Sequence, residues 1–410
     1  MRILVLSNRY PPHYTGGYEI ACQTVTERLR NRGHDVAVLT SNFGIQGTAI
    51  DGHIHRTLHR PQDSPDLLEL ARWEIADHAS LSRIVGRFKP DVIYAWAMLQ
   101  LFPSLQRALR ELTIPVVFNI QDIWLPRILA EAEEQQEVWN KPGGSFFKQI
   151  AKTSVRSVLK WRHPQWLKAI TPDSINLDHV VFCSQFRKDE HVRKGLPLGD
   201  SRIIYNGIDH SVFSGRMSSS TNGHLKVLSV GRLVHEKGAH TVIEAIGKLA
   251  ERGLRNVRLS IAGVPSHPWE YADTLRSMVS SLGLTEQVEF LGMVQNQDLP
   301  NVYREHDVLV FSSICDEGFP VTLIEGMACG ITVISTLTGG SGEVAEDGLN
   351  SLTFPPGNAI VLADRLSQLL ANPSLAKSLA ATGQSLVREK FDISTITNQT
   401  EQYLQEVIEH

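Results

Sequence analysis

Twice in this chain, a short run that is apolar on nearly every residue gives way to a turn-rich loop and then a helical pattern, and each time the cycle repeats. The first run is RILVLS, residues 2–7, and the second is LKVLSVG, residues 225–231. A strand apolar on both faces must be covered on both, which is the condition of a parallel sheet flanked by helices. The first series continues with a helix near 18–32, strand 35–41, a helix over 66–88, strand 91–96, a helix over 99–112, strand 115–120, and short strands at 179–183 and 201–204. The second runs through helix 239–252, strand 257–263, helix 269–283, strand 287–292, helix 298–305, strand 307–312, a motif-bearing loop and helix, and strand 331–336. Helical patterns near 358–371, 374–389 and 393–409 close it. Between the series, HSVFSGRMSSSTNGH (210–224) is rich in Ser, Gly and Asn and has no periodicity, as connections between domains do. The expected class is α/β, with two doubly wound domains facing a central cleft, 1–210 and 225–390, a linker at 211–224, and a last helix of about 391–410 packing back on the first domain. Ligands of such sheets lie beyond the carboxyl ends of the strands, so post-strand loops carry the informative residues.

Composition narrows the function. A chain of 410 residues is too long for one ordinary core. A formal charge of −4 leaves no basic excess for nucleic acid. Cys22, Cys183, Cys315 and Cys329 lack the spacing of a zinc site or a disulfide scaffold, which favours a reducing compartment. MRILVLS reads as a strand rather than a leader, and no run of about 18 apolar residues occurs. The expectation is a cytoplasmic protein.

Three post-strand loops hold a coherent set. Gly16-Gly17, at the first loop–helix junction, would let backbone come close to a phosphate, although a glycine pair alone is equally an ordinary turn. In Gly231-Arg232-Leu233-Val234-His235-Glu236-Lys237-Gly238, two cations flank a tight loop and are suited to a diphosphate, Arg as a fork of donors and Lys as a point charge. The third loop is CDEGFPVTLIEGMACG, 315–330, after the apolar run 307–311. Pro320 falls where a helix would begin, and a helix start offers free N–H groups and a positive dipole end to an anion. Glu317 lies in the loop and Glu325 two turns into the helix, among Leu323, Ile324, Met327 and Ala328, which is not a typical solvated face.

Taken together, GRLVHEKG (231–238), EGFPVTLIE (317–325) and GITVISTLTGGSGEVAEDGLNSLTF (330–354) resemble the retaining glycosyltransferases of family 4. NRYPPHYTGG (8–17) and YNGID (205–209) are similar to the family as well. The resemblance implies the GT-B architecture of two Rossmann-like domains. It implies transfer of a sugar, with retention, from a nucleoside-diphosphate donor to an acceptor hydroxyl. UDP-sugar is the first choice of donor, with GDP- or ADP-sugar as alternatives. The acceptor would be a glycan, a lipid-linked saccharide or a small molecule. Arg232 and Lys237 would hold the diphosphate, Glu317 with the amides of Gly318 and Phe319 would orient the sugar, and Glu325 would hold the ribose. Backbone near Gly292, Met293 and Val294 would meet the base, and Gly16 and Gly17 would lie against the phosphate. No metal or cofactor is implied, and no DxD-type pair stands at a suitable strand end.

Two positions depart from the family. Gln121 occupies the place of a common His and cannot titrate, so acid–base work there is excluded. Asp122 beside it is a candidate for acceptor or sugar hydroxyls, and equally a turn carboxylate. Thr332 replaces a common Pro, with only a local backbone effect expected. Residues 141–170 carry seven Lys or Arg and no acid, interleaved with aromatics. That pattern suits peripheral contact with the inner face of a membrane, but its apolar positions suffice for packing on the first domain, which is preferred. The competing functions are a nucleotide-sugar epimerase or hydrolase, disfavoured by Gln121, and a non-catalytic nucleotide-sugar-binding protein, disfavoured by the intact Arg232, Lys237, Glu317 and Glu325. A nicotinamide dehydrogenase is weaker still, since neither series has GxGxxG after its first strand.

Overall fold

The computed structural model describes residues 1–63, 67–127, 171, 174–215, 224–265 and 270–410. The basic stretch 141–170, the acidic run before it and most of the linker lie outside the described residues.

The chain divides into two units. The first comprises Met1–Cys183, Arg187–Ile204 and Thr397–His410, and the second Ser184–Phe186 and Tyr205–Ile396. The first unit holds an eight-stranded sheet in the order β3-β4-β2-β1-β5-β6-β7-β8. Its strands are β1 (Arg2–Ser7), β2 (Asp35–Ser41), β3 (Ala49–Asp51), β4 (Ile54–Leu58), β5 (Val92–Ala95), β6 (Val116–Ile120), β7 (His179–Phe182) and β8 (Asp200–Ile203). All pairings are parallel except β3 with β4. The central strand behaves as its composition demands, with Ile3, Leu4 and Val5 fully buried.

The second unit holds six parallel strands ordered β11-β10-β9-β12-β13-β14. These are β9 (Leu225–Val230), β10 (Val257–Ala262), β11 (Val288–Gly292), β12 (Val308–Phe311), β13 (Thr332–Ser335) and β14 (Leu352–Thr353). Numbered within the unit, the order is 3-2-1-4-5-6, the doubly wound arrangement in which the connections reverse direction between the first and fourth strands. The switch point therefore falls between β9 and β12. Its core is built from the inward faces of the helices Ala239–Glu251 and Ala359–Ala371 against this sheet, with Val242, Ile246 and Leu362 inaccessible to solvent.

Two local departures from expectation have physical reasons, and the effect of Thr332 is local, as expected. The helix expected over 99–112 runs only from Ser104 to Arg110, because Pro103 disfavours helical geometry in the residue before it and Gln100 has φ of 69°. Pro320 stands just ahead of the helix Val321–Ala328, in extended geometry, rather than in its first turn. Thr332 uses the N–H that proline would lack, donating to Asp307 O at 3.1 Å, while its hydroxyl donates to Ala376 O at 2.9 Å. The β3–β4 hairpin and the helix Gln185–Arg193 were not anticipated.

From Thr397 onward the last helix, Ile393–Glu409, groups with the first unit. Glu401 pairs there with Arg32 at 2.6 Å and His34 at 2.7 Å, and Tyr403 donates to Asp200 O at 3.0 Å. Leu404 beside them is fully buried. Leu404→Ala is expected to destabilise the first unit by ~2–5 kcal/mol, the cost of a buried leucine plus the cavity it leaves, read from equilibrium denaturant unfolding. A change below about 0.5 kcal/mol would mean that the helix is not part of that core.

Candidate functional site

At the switch point of the second sheet, the loops after β9 and β12 enclose a pocket walled by Gly231, Arg232, Lys237, Ser312, Ser313 and Thr322. The loops are stitched together. Ser312 Oγ donates to Lys237 O at 2.9 Å, Ile314 N to Glu236 O at 2.9 Å, and Ser313 Oγ lies 3.2 Å from Glu236 O. Gly238 permits the close approach. It has φ of 69°, and a Cβ there would sit 2.0 Å from Ser312 O, so no other residue fits without moving the backbone.

That approach sets the charges. Lys237 Nζ meets Glu317 Oε1 at 2.5 Å, and the same oxygen accepts from Ser313 Oγ at 2.6 Å. Both charged side chains keep some solvent contact, 26% for Lys237 and 16% for Glu317. Arg232 is exposed on the same rim and forms no ion pair with a described residue. The pocket thus holds one exposed cation without an ion-pair partner among the described residues and one neutralised cation, whose carboxylate partner beside the pocket could exchange it for a hydroxyl.

Glu325 is differently placed. It is mostly buried on the helix Val321–Ala328, one turn beyond the pocket-lining Thr322, and it accepts from the fully buried Tyr303 OH at 2.7 Å. Burial raises its pKa to about 7, against the smaller opposing effect of the tyrosine hydrogen bond. Gly292, Met293 and Val294 lie at the end of β11, with Met293 62% exposed. They stand two strands from β9, about 10 Å at ordinary strand spacing.

The loop bearing Glu317 is pinned from behind. Gly340 N donates to Glu317 O at 2.9 Å. Gly339, at φ of 58°, approaches so closely that a Cβ would meet Glu317 O at 2.3 Å. The glycine pair 339–340 is explained by this backbone packing. Glu343, just after it, accepts from Gln185 N and Phe186 N at 2.9 and 2.8 Å and from Tyr205 OH at 3.1 Å.

In the first unit, Gly16 and Gly17 open the helix Gly17–Asn31 after β1. Neither has a left-handed φ, and a Cβ on Gly17 would meet nothing within 4 Å, so the fold itself does not require glycine at 17. Gln121 Nε2 donates to Asn119 Oδ1 at 3.3 Å, and Asp122 Oδ1 accepts from Trp124 N at 2.8 Å. Asp122 Oδ1 is thus engaged as a turn acceptor, and burial raises the pKa of the carboxyl.

Sequence reasoning missed Ser312, Ser313, Tyr303 and Ser184. The two serines had a signal, since hydroxyls directly after a buried strand lie where such sheets bind ligands. Tyr303 and Ser184 had none, because their partners are 22 and 134 residues away.

The chain is similar to known proteins of one class. Residues 217–386 match the family described as Glycosyl transferases group 1, and residues 15–212 match Glycosyltransferase Family 4. Among curated relatives, an uncharacterized glycosyltransferase of Methanocaldococcus jannaschii is 26% identical over 98% of this chain and 97% of its own. The glycogen synthase of Mycobacterium tuberculosis is 25% identical over 98% of this chain and 94% of its own. The fold matches that of HepE from Anabaena, solved in complex with UDP, with a TM-score of 0.71 and 20% identity over 99% of this chain and 100% of the other. The fold is GT-B, and the protein is a glycosyltransferase. The chain belongs to the family 4 type of that class.

The raised pKa of Glu325 generates a prediction. Between pH 4.5 and about 7 the folded chain holds this proton while the unfolded chain has released it. Its contribution to stability is full below pH 4.5, falls as pH rises through this window, and is gone above about 7. Glu325→Gln keeps an acceptor for Tyr303 without the charge. It is expected to match the wild type near pH 4.5 and to exceed it by ~1–3 kcal/mol at pH 8, measured by denaturant unfolding. A difference that does not change with pH would contradict the assignment.

Proposed function

We propose that this glycosyltransferase moves a sugar from a nucleoside-diphosphate donor to an acceptor hydroxyl with retention of configuration, in the making of a glycan, polysaccharide or glycolipid. The observation that carries the reading is the junction of Lys237, Glu317 and Ser313 beside Arg232 at the switch point of the second sheet. Arg232 and Lys237 hold the diphosphate and stabilise the charge that develops as it leaves. These cations, the loop amides and the helix start do the electrostatic work for which other transferases use a metal ion. Glu317 exchanges Lys237 for a sugar hydroxyl, and the amides of Gly318 and Phe319 orient the same sugar.

Glu325 takes the ribose hydroxyls. Backbone at Gly292, Met293 and Val294 meets the base, and about 10 Å, two strand spacings, suits the length of a nucleoside between base and phosphate. Gly16 and Gly17 are assigned to the phosphate's surroundings; a glycine at 17, which the fold does not itself need, leaves room for a ligand. UDP-sugars are the first choice of donor, because the HepE complexes contain UDP and UDP-glucose. The acceptor, a glycan, lipid-linked saccharide or small molecule, falls to the first unit, with Gln121 and Asp122 as its candidate contacts.

Arg232→Ala and Lys237→Ala are each expected to lower transfer by about 100-fold or more, the scale of removing one charge-stabilising group from a transition state, with thermal unfolding unchanged. Turnover within a few-fold of wild type in either variant would remove the diphosphate assignment. A thermal-shift screen of UDP-, GDP- and ADP-sugars names the base, since a ligand that binds only the folded chain raises its melting temperature.

A further inference from the structure

Resting on the donor reading above, we infer that Ser184 is a positioning residue that aims the Phe319 amide at the donor sugar. Ser184 follows β7, is fully buried, and donates from Oγ to Gly318 O at 2.6 Å. It groups with the second unit although the strand before it belongs to the first.

The consequence follows from peptide geometry. In a trans peptide the C=O and the N–H point in opposite directions, and the peptides of this loop are trans. The carbonyl of Glu317 is taken by Gly340 N, which turns the Gly318 N–H away from the 339–340 loop. The carbonyl of Gly318 is taken by Ser184, which turns the Phe319 N–H away from Ser184. Neither amide donates to a described residue. The two N–H groups are therefore fixed in direction and left for a ligand, just ahead of the helix Val321–Ala328.

Ser184 is itself held. The next two amides, Gln185 N and Phe186 N, are captured by Glu343, whose carboxylate also accepts from Tyr205 OH. The ring of Tyr205 packs against Phe319 with centroids 5.3 Å apart, so both ends of the aimed peptide share one support. Gly340 completes the frame, since a Cβ there would meet Gly318 O at 2.2 Å and Ser184 Cβ at 3.1 Å. A relay from Glu343 through Ser184 to one donor-facing amide explains why a serine remote in sequence lies under the sugar loop.

The test uses the full chain and whichever of UDP-glucose, GDP-mannose and ADP-glucose the wild type hydrolyses fastest, with the matching nucleoside diphosphate for binding. Ser184→Ala leaves the amide in place but frees its direction, so kcat is expected to fall ~10–100-fold, below the cost of deleting such a donor. Nucleoside diphosphate Kd and melting temperature are expected to stay at the wild-type value, because the amide faces the sugar. Gly340→Ala, which displaces the same carbonyl from the other side, is expected to give the same split between kcat and Kd. Unchanged kcat in Ser184→Ala would overturn the proposal, as would kcat, affinity and melting temperature falling together. If the wild type binds none of the diphosphates, the donor reading itself fails and this inference fails with it. Binding that is lost in Lys237→Ala and kept in Ser184→Ala shows the donor site intact, so that the kcat of Ser184→Ala then decides this inference alone.

Discussion

Lys237 and Glu317 come from loops about 80 residues apart and meet at 2.5 Å, and much of the second unit is arranged so that they can. Two cations on one loop beside a helix start repel one another when no anion is present. Glu317 neutralises one of them and leaves Arg232 free. A partly exposed ion pair of this kind contributes little to stability, so under the proposed function its value lies in preparation. The lysine is already in place, and its partner is a group that a sugar hydroxyl can take over. The left-handed Gly238 under Ser312 and the close approach of Gly339 to Glu317 are the backbone conditions for that meeting.

Glu325, one turn along the helix from the pocket-lining Thr322, is under a different constraint. An acid on a short apolar helix, bonded to a buried tyrosine, carries an electrostatic penalty at neutral pH that an ordinary surface glutamate would not. A fold gains nothing from this by itself, and groups with perturbed titration gather where ligands bind. A ribose offers two hydroxyl donors to such a carboxylate, which would restore part of the solvation that burial removed.

Much of the architecture was legible in the chain. The largely apolar runs at 2–7 and 225–231 became central strands, and the alternation that follows them implied the doubly wound class. The sequence also marked Arg232, Lys237 and Glu317, because ligands of such sheets lie at post-strand loops; Arg232 and Lys237 line one pocket, and Glu317 pairs with Lys237 beside it. What escaped was long-range. Nothing near Ser184 announces that its hydroxyl binds a carbonyl 134 residues away, and nothing near Tyr303 announces that its hydroxyl meets Glu325. The glycine pair 339–340 was visible, but its reason, backbone against backbone at Glu317 and Gly318, lies about 20 residues away in the chain. The β3–β4 hairpin escaped for a local reason, since its strands are short and β3 is wholly exposed.

The central claim is that Lys237 trades Glu317 for a donor phosphate. A crystal structure of the full chain with UDP tests it directly. The account predicts that Lys237 Nζ leaves Glu317 and lies within hydrogen-bond distance, about 3 Å, of a phosphate oxygen, with the diphosphate between it and Arg232. UDP bound elsewhere, or bound in this pocket with the Lys237–Glu317 pair intact, would contradict it.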